Sequence, residues 1–225
     1  MLRQVTAIRP QERRGGRRVN VFLDGSFAFS LGEELAAGLA PGSFLSDEEI
    51  AEFVRQDDLH RVYDAALVLL SYRPRSVAEL RNRLRRRGFE ASLVEDSLER
   101  LQQQGLLDDA GFAQFWVDNR QTHRPRGGRL LYAELRSKGI DREIIDDVLP
   151  KAEEEDDAAY RVGRRRLNSL KGLEWREFRR RMGDYLVRRG FGYETADAAV
   201  RRLWNEEHGV ATEGSGEGFD AEGGV

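Results

Sequence analysis

The 225-residue chain has no cysteine, which excludes a disulfide framework, a thiol nucleophile and a thiolate metal site. Histidine is nearly as scarce: His60, His123 and His208 lie far apart and form no metal-ligand spacing. No apolar run approaches the roughly 18 residues of a membrane span, and Met1–Pro10 carries no apolar leader segment. The paired carboxylates Asp108-Asp109 and Asp146-Asp147 have no His or Cys nearby in sequence to complete a catalytic constellation. The glycine pairs Gly15-Gly16 and Gly127-Gly128 lack the Lys-Ser/Thr ending of a phosphate-binding loop. These absences predict a soluble, cytoplasmic, non-enzymatic protein with no cofactor, no metal and no membrane partner.

Lysine is also sparse, with only Lys138, Lys151 and Lys171, so 34 of the 37 basic residues are arginine. The planar guanidinium fork suits phosphate and carboxylate, which favours an acidic partner. A GC-rich genome would produce the same excess, so composition alone does not separate usage from use. The formal net charge is -3, yet residues 205–225 hold six acids and no Lys or Arg, which leaves residues 1–204 at +3.

Val19, Val21 and Leu23 alternate with polar or outward positions, and Phe27, Phe29 and Leu31 do so again after Asp24-Gly25. That pair favours a two-residue hairpin turn. Val5 with Ala7 or Ile8 suggests a third short strand across the basic loop Arg13–Arg18. A helix is expected over Leu31–Ala40, and Ser46 with Glu49 forms a capping box ahead of a second. Beyond His60 nearly every segment has helical period.

That helical part repeats itself. Gly88, Gly139 and Gly190 are each 51 residues apart, and each follows a string of the type Leu80-Arg81-Asn82-Arg83-Leu84. Leu98, Leu149 and Val200 keep the register downstream, while Arg73-Pro74-Arg75-Ser76 lies over Arg124-Pro125-Arg126-Gly127. In the third copy Trp175-Arg176-Glu177-Phe178 breaks the match. Each copy reads as a helix, a turn, a second helix closed by a left-handed glycine cap, and a third helix. Phe89, Ile140 and Phe191 are expected to fold back on the preceding turn. Such units bury little alone, so a mainly α, elongated and curved array is expected. The divisions are 1–58 (β-hairpin and short helices), 59–107, 108–152 and 153–204 (three-helix repeats), and 205–225 (a disordered acidic, Gly-rich tail).

Leu69-Leu70-Ser71-Tyr72-Arg73-Pro74-Arg75-Ser76 with Glu79-Leu80, Leu107-Asp108-Asp109 with Phe112-Ala113, and Gly127 to Gly139 with Glu134-Leu135 resemble three signatures of the RecX family. These bacterial regulatory proteins act on the RecA recombinase. The likeness spans about Val19 to Trp204; Gly128, where the pattern has proline, and the acidic tail depart from it. The resemblance implies a helical array in the groove of the RecA–DNA filament that limits assembly, ATP hydrolysis and strand exchange.

The residues singled out for partner or DNA contact are arginines. Arg73, Arg75, Arg81, Arg83, Arg85 and Arg86 crowd the segment Arg73–Arg87, which holds one acid, Glu79. Arg124, Arg126 and Arg129 flank a helix start, where free backbone N–H groups could also meet a phosphate. Arg161, Arg164 and Arg165, with Arg179 and Arg180, mark the third repeat. The expected partners are the RecA filament and single- or double-stranded DNA, bound by a monomer. Two alternatives stay open: a RecA-independent protein whose arginines follow DNA phosphates, and a scaffold that docks only proteins. Tyr72, Trp116, Trp175, Phe178 and Trp204 are expected to be core more often than base-stacking residues.

Overall fold

The computed structural model describes residues 1–11 and 18–209. Among them the chain forms two compact units, Met1–Asp109 and Ala110 onward, with four strands and ten α-helices. The first unit opens with a four-stranded antiparallel sheet of order β3-β2-β1-β4: β1 (Leu2–Pro10), β2 (Arg18–Leu23), β3 (Ser26–Gly32) and β4 (Phe44–Ser46). The Asp24-Gly25 turn joins Leu23 to Ser26, with φ of 50° and 84° at its two central residues, the mirror-image turn that matches strand twist. Val19, Val21, Leu23, Phe29 and Leu31 point into the core as their alternation predicts. Phe27 does not. A bulge at Val21/Phe22 pairs Phe22 with Phe27, so Phe27 turns outward and meets the Phe22 ring edge-on at 6.1 Å.

Two expectations need correction here, and a third lies mostly outside the described residues. The third strand is nine residues long and central, and it pairs with a fourth, β4, that three residues of sequence did not announce. The helix expected over Leu31–Ala40 shrinks to α1 (Glu33–Ala36), because Leu31 and Gly32 complete β3 opposite Val19 and Arg18. The basic loop falls at residues 12–17, outside the described residues, apart from Arg18.

The Ser46–Glu49 capping box forms in both directions and starts α2 (Asp47–Tyr72). This helix runs through the division drawn at residues 58 and 59. Its first half lays Ile50 and Phe53 on the sheet core, and its second half gives Val62, Ala66 and Leu69 to the first helical core. Between them Asp57, 4% exposed, takes both forks of Arg18 at 2.7 and 3.0 Å and the Gly32 N–H at 2.7 Å.

Each repeat has its own core. The end of α2 packs with α3 (Val77–Arg86) and α4 (Ala91–Gln103); α5 (Asp109–His123), α6 (Gly128–Ser137) and α7 (Arg142–Val148) form the second; α8 (Ala152–Leu167), α9 (Trp175–Arg188) and α10 (Tyr193–His208) the third. Leu80 and Leu84, Leu131 and Leu135, and Met182 and Leu186 are fully buried at i, i+4. Gly88, Gly139 and Gly190 stand at φ of 87°, 78° and 92°, and after the latter two Ile140 and Phe191 donate back to Leu135 and Leu186. Ile140 and Phe191 are fully buried and Phe89 partly so. Phe178 is core and the three tryptophans lie against cores, whereas Tyr72 is 78% exposed. α10 continues to His208, four residues into the segment expected to be disordered, and ends at Gly209 with φ 70°; residues 210–225 lie outside the described residues.

The capping glycines should differ sharply in tolerance. A Cβ at Gly88 meets open space, so Gly88→Ala should cost only the left-handed backbone penalty, about 1–2 kcal/mol. At Gly190 it would meet Leu130 Cβ at 2.4 Å and its N at 2.8 Å, so Gly190→Ala should cost clearly more in urea unfolding of the full chain. Asp57→Ala, which strands Arg18 and the Gly32 N–H, should destabilise the first unit by about 2–4 kcal/mol in the same measurement.

Candidate partner and nucleic-acid interface

In the first repeat the arginines divide into held and unheld groups. Arg73, just past α2, pairs with Glu79 at 3.0 Å, and Arg75 donates to the Leu69 carbonyl at 2.9 Å. Partial burial, then the neighbouring Arg73 charge, pull the Arg75 guanidinium below its ordinary pKa. Arg81 reaches across to Glu95 on α4 at 2.8–3.0 Å, which raises the Arg81 pKa and lowers that of Glu95. Arg83, Arg85 and Arg86 are exposed and make no ion pair among the described residues. They are the free charges of α3.

The second and third repeats show the same division. Arg179 pairs with Asp197 at 2.9 Å, and Arg180 with Glu177 at 2.8 Å. Arg164 lies by Tyr160, donating to its hydroxyl at 3.0 Å. Arg124, Arg129, Arg161 and Arg165 are exposed and without an ion pair among the described residues. Arg126 pairs with Glu134, a largely buried carboxylate that also accepts from Trp116 Nε1 at 2.8 Å and Arg120 Nε at 2.9 Å. Glu134, quoted above as part of a signature, is thus a structural hub holding α5, α6 and the Arg126 segment together. Arg120 and Lys138 lie 4.2 and 4.3 Å from the centre of the Trp116 ring.

The free helix start expected near Arg124–Arg129 is already taken. Gly127 N–H donates to the Arg189 carbonyl at 3.0 Å, and Gly128 N–H to a Glu155 carboxylate oxygen at 3.0 Å. Those two donors therefore do not meet a phosphate; the side chains around them can. Gly127 and Gly190 touch backbone to backbone, since a Cβ on Gly127 would sit 2.3 Å from Gly190. This close approach brings Arg188 and Arg189, at the end of α9, beside Arg124 and Arg126. Together with His123 and Arg165 they line a cavity of about 390 Å³ floored by Leu130, Val162 and Tyr185. His123, Arg188 and Arg189 had no signal of their own in the sequence, because the cavity arises from packing between the second and third repeats of the second unit.

Family models of the first, second and third three-helix domains of RecX match residues 63–101, 108–149 and 153–200. The chain belongs to the RecX family. It is 29% identical over 211 residues to the regulatory protein RecX of Clostridium perfringens (strain SM101 / Type A), covering 91% of this chain and 98% of that one. It is 32% identical over 188 residues to that of Bacillus licheniformis, covering 82% and 72%. A crystal structure of a regulatory protein RecX superposes with a TM-score of 0.69 at 26% identity, covering 86% of this chain and 96% of the other. RecX from Lactobacillus salivarius gives 0.62 at 23% identity over 66% of this chain and 97% of the other, a likeness of fold. The relatives are regulatory proteins, and this chain is a regulator of the same family. Among the described residues no helix is long and apolar enough to cross a membrane.

The paired arginines make a testable acid signature. Glu177 accepts from Arg180 and Arg181, which bring its pKa down from 4.5 to about 2. Because the folded value is depressed, this pairing contributes above pH 4.5 and is lost as pH falls toward about 2. A carboxyl NMR titration should find Glu177 well below the ordinary glutamate range, and Arg180→Ala with Arg181→Ala should return it toward 4.5.

Proposed function

We propose that this RecX protein binds along the RecA–DNA filament and restrains its assembly, ATP hydrolysis and strand exchange, without chemistry of its own. The observation that supports this most is the set of exposed arginines left without internal partners on a family scaffold: Arg83, Arg85 and Arg86 in the first unit, Arg124, Arg129, Arg161 and Arg165 in the second. Like charges at i, i+4 or closer on one helix repel, and an acidic filament surface offsets that cost. Several modest contacts on one folded chain raise avidity with no single strong site. The held arginines, Arg73, Arg81, Arg179 and Arg180, serve the fold first in this reading. The protein acts as a cytoplasmic monomer, and DNA is met both directly and through the filament.

The test is RecA-dependent ATP hydrolysis on single-stranded DNA, with filament lengths imaged in parallel. Added protein should lower hydrolysis and shorten filaments; no effect of excess protein on either overturns the reading. Arg83→Ala/Arg85→Ala/Arg86→Ala should raise the concentration for half-inhibition roughly tenfold to a hundredfold, about 0.5–1 kcal/mol for each lost surface contact. Equal binding to bare DNA and to filament would favour instead a RecA-independent DNA-binding protein.

A further inference from the structure

We propose that the cavity between α5, α6, α8 and α9 holds the phosphodiester backbone of a DNA strand, with Arg124, Arg165, Arg188 and Arg189 as its phosphate contacts. This deepens the filament reading, since it says which arginines touch nucleic acid.

The first support is the charge of the lining. Five arginines and His123 face one space of about 390 Å³, and among the described residues no acid lines it. Among the described residues only Arg126 of the five has a carboxylate partner, Glu134, while Arg189 lies 5.2 Å from the Tyr185 ring centre. By contrast Arg179 and Arg201, elsewhere in the same unit, share the Asp197 carboxylate.

The repeat itself carries the second support. Under the 51-residue register Arg73 falls on Arg124, Arg75 on Arg126 and Glu79 on Leu130. In the first repeat Glu79 neutralises Arg73. In the second the same position is Leu130, which floors the cavity and leaves Arg124 without that partner. One exchange of acid for leucine thus converts an internal ion pair into an outward-facing cation over an apolar floor.

Third, the crowding is fixed by the backbone. The Gly127–Gly190 contact and the Gly127 N–H bond to the Arg189 carbonyl hold the α5–α6 connection against the end of α9, so the guanidinium groups cannot simply spread apart at their roots. Burial, then the charges of Arg120, Arg189 and Arg124, lower the Arg126 pKa, so like charges crowd this side chain. An anion relieves that crowding. The apolar walls formed by Leu130, Val162 and Tyr185 reduce screening and strengthen that attraction.

The donor set favours phosphate over a lone carboxylate. With Arg126 held by Glu134, the other four guanidinium forks still offer more N–H donors than one carboxylate's two oxygens can accept, whereas a strand presents phosphate oxygens repeatedly along its length.

The experiment is fluorescence anisotropy of a labelled 20-nucleotide oligo-dT with the full chain, without RecA, over a salt series. Arg165→Ala/Arg188→Ala should weaken binding and reduce the log–log salt slope by about 1.4, roughly 0.7 for each lost phosphate contact on a single strand. Arg165→Lys/Arg188→Lys, which keeps the charge and guards against misfolding as the cause, should retain most of the slope. An unchanged slope in the alanine variant overturns the proposal. So does polyglutamate competing as well as unlabelled oligo-dT at equal charge, which would make the site one for acidic protein. RecA ATPase inhibition measured on the same variants separates the two readings: inhibition by wild type with no slope change sinks the cavity alone, and a slope change with no inhibition by wild type sinks the filament reading alone.

Discussion

Bare backbone meeting bare backbone at Gly127 and Gly190 is the constraint on which the second unit rests. The start of α6 and the end of α9 approach so closely that neither position has room for a side chain, and each helix end then supplies what the other needs. Gly127 N–H finds the Arg189 carbonyl, and Gly128 N–H finds Glu155 from the first turn of α8. Helix termini leave backbone donors and acceptors that must be satisfied somewhere. The first unit solves the same problem at the matching position: Val77 N–H, 51 residues before Gly128, donates to the Asp109 carboxylate at 2.8 Å. In both places an acid at the start of a following helix closes the start of an earlier one. Asp109 and Glu155 are therefore helix caps delivered from the next repeat.

The arrangement decides what the arginines can do. Where a repeat keeps an acid within reach, as with Glu79, Glu95, Asp197 or Glu177, the guanidinium is drawn into the fold and its pull on an outside partner weakens. Where the acid is absent, the charge stays available. The chain thus carries two populations of one residue type, one spent on holding helices together and one facing solvent. Exposed ion pairs of this kind contribute little each, about 0–1 kcal/mol, so the held arginines orient helices more than they stabilise them. Glu134 is the exception, since it is largely buried and ties together three donors from α5 and the segment after it.

The helical repeat was legible because its signals are local. Leu80 with Leu84 and the glycine four residues on need only their own helix to be read, and the structure repeats that unit three times with separate cores. The hairpin was legible from Asp24-Gly25 and the alternation around it, but the bulge that turns Phe27 outward depends on pairing across strands and leaves no mark in one strand's pattern. β4 is too short to have a period, and exists because β1 offers it an edge. The arginine partners were illegible for a related reason: Glu95 lies 14 residues from Arg81, and Asp197 lies 18 from Arg179, on the next helix in each case. Spacing within a helix could suggest Arg180 with Glu177, but not those pairs. The cavity lies furthest from the sequence, since it requires three segments of two repeats to meet.

The long helix α2 couples two parts of the first unit that would otherwise be easy to treat as separate modules. One end is stapled to the sheet through Asp57, Arg18 and Gly32, and the other supplies the core of the three-helix bundle with Val62, Ala66 and Leu69. Neither the sheet nor the bundle can be excised at residue 58 without taking part of its neighbour's wall. The amino-terminal strands and the first bundle are accordingly one compact unit, with a single helix as the shared wall of both cores.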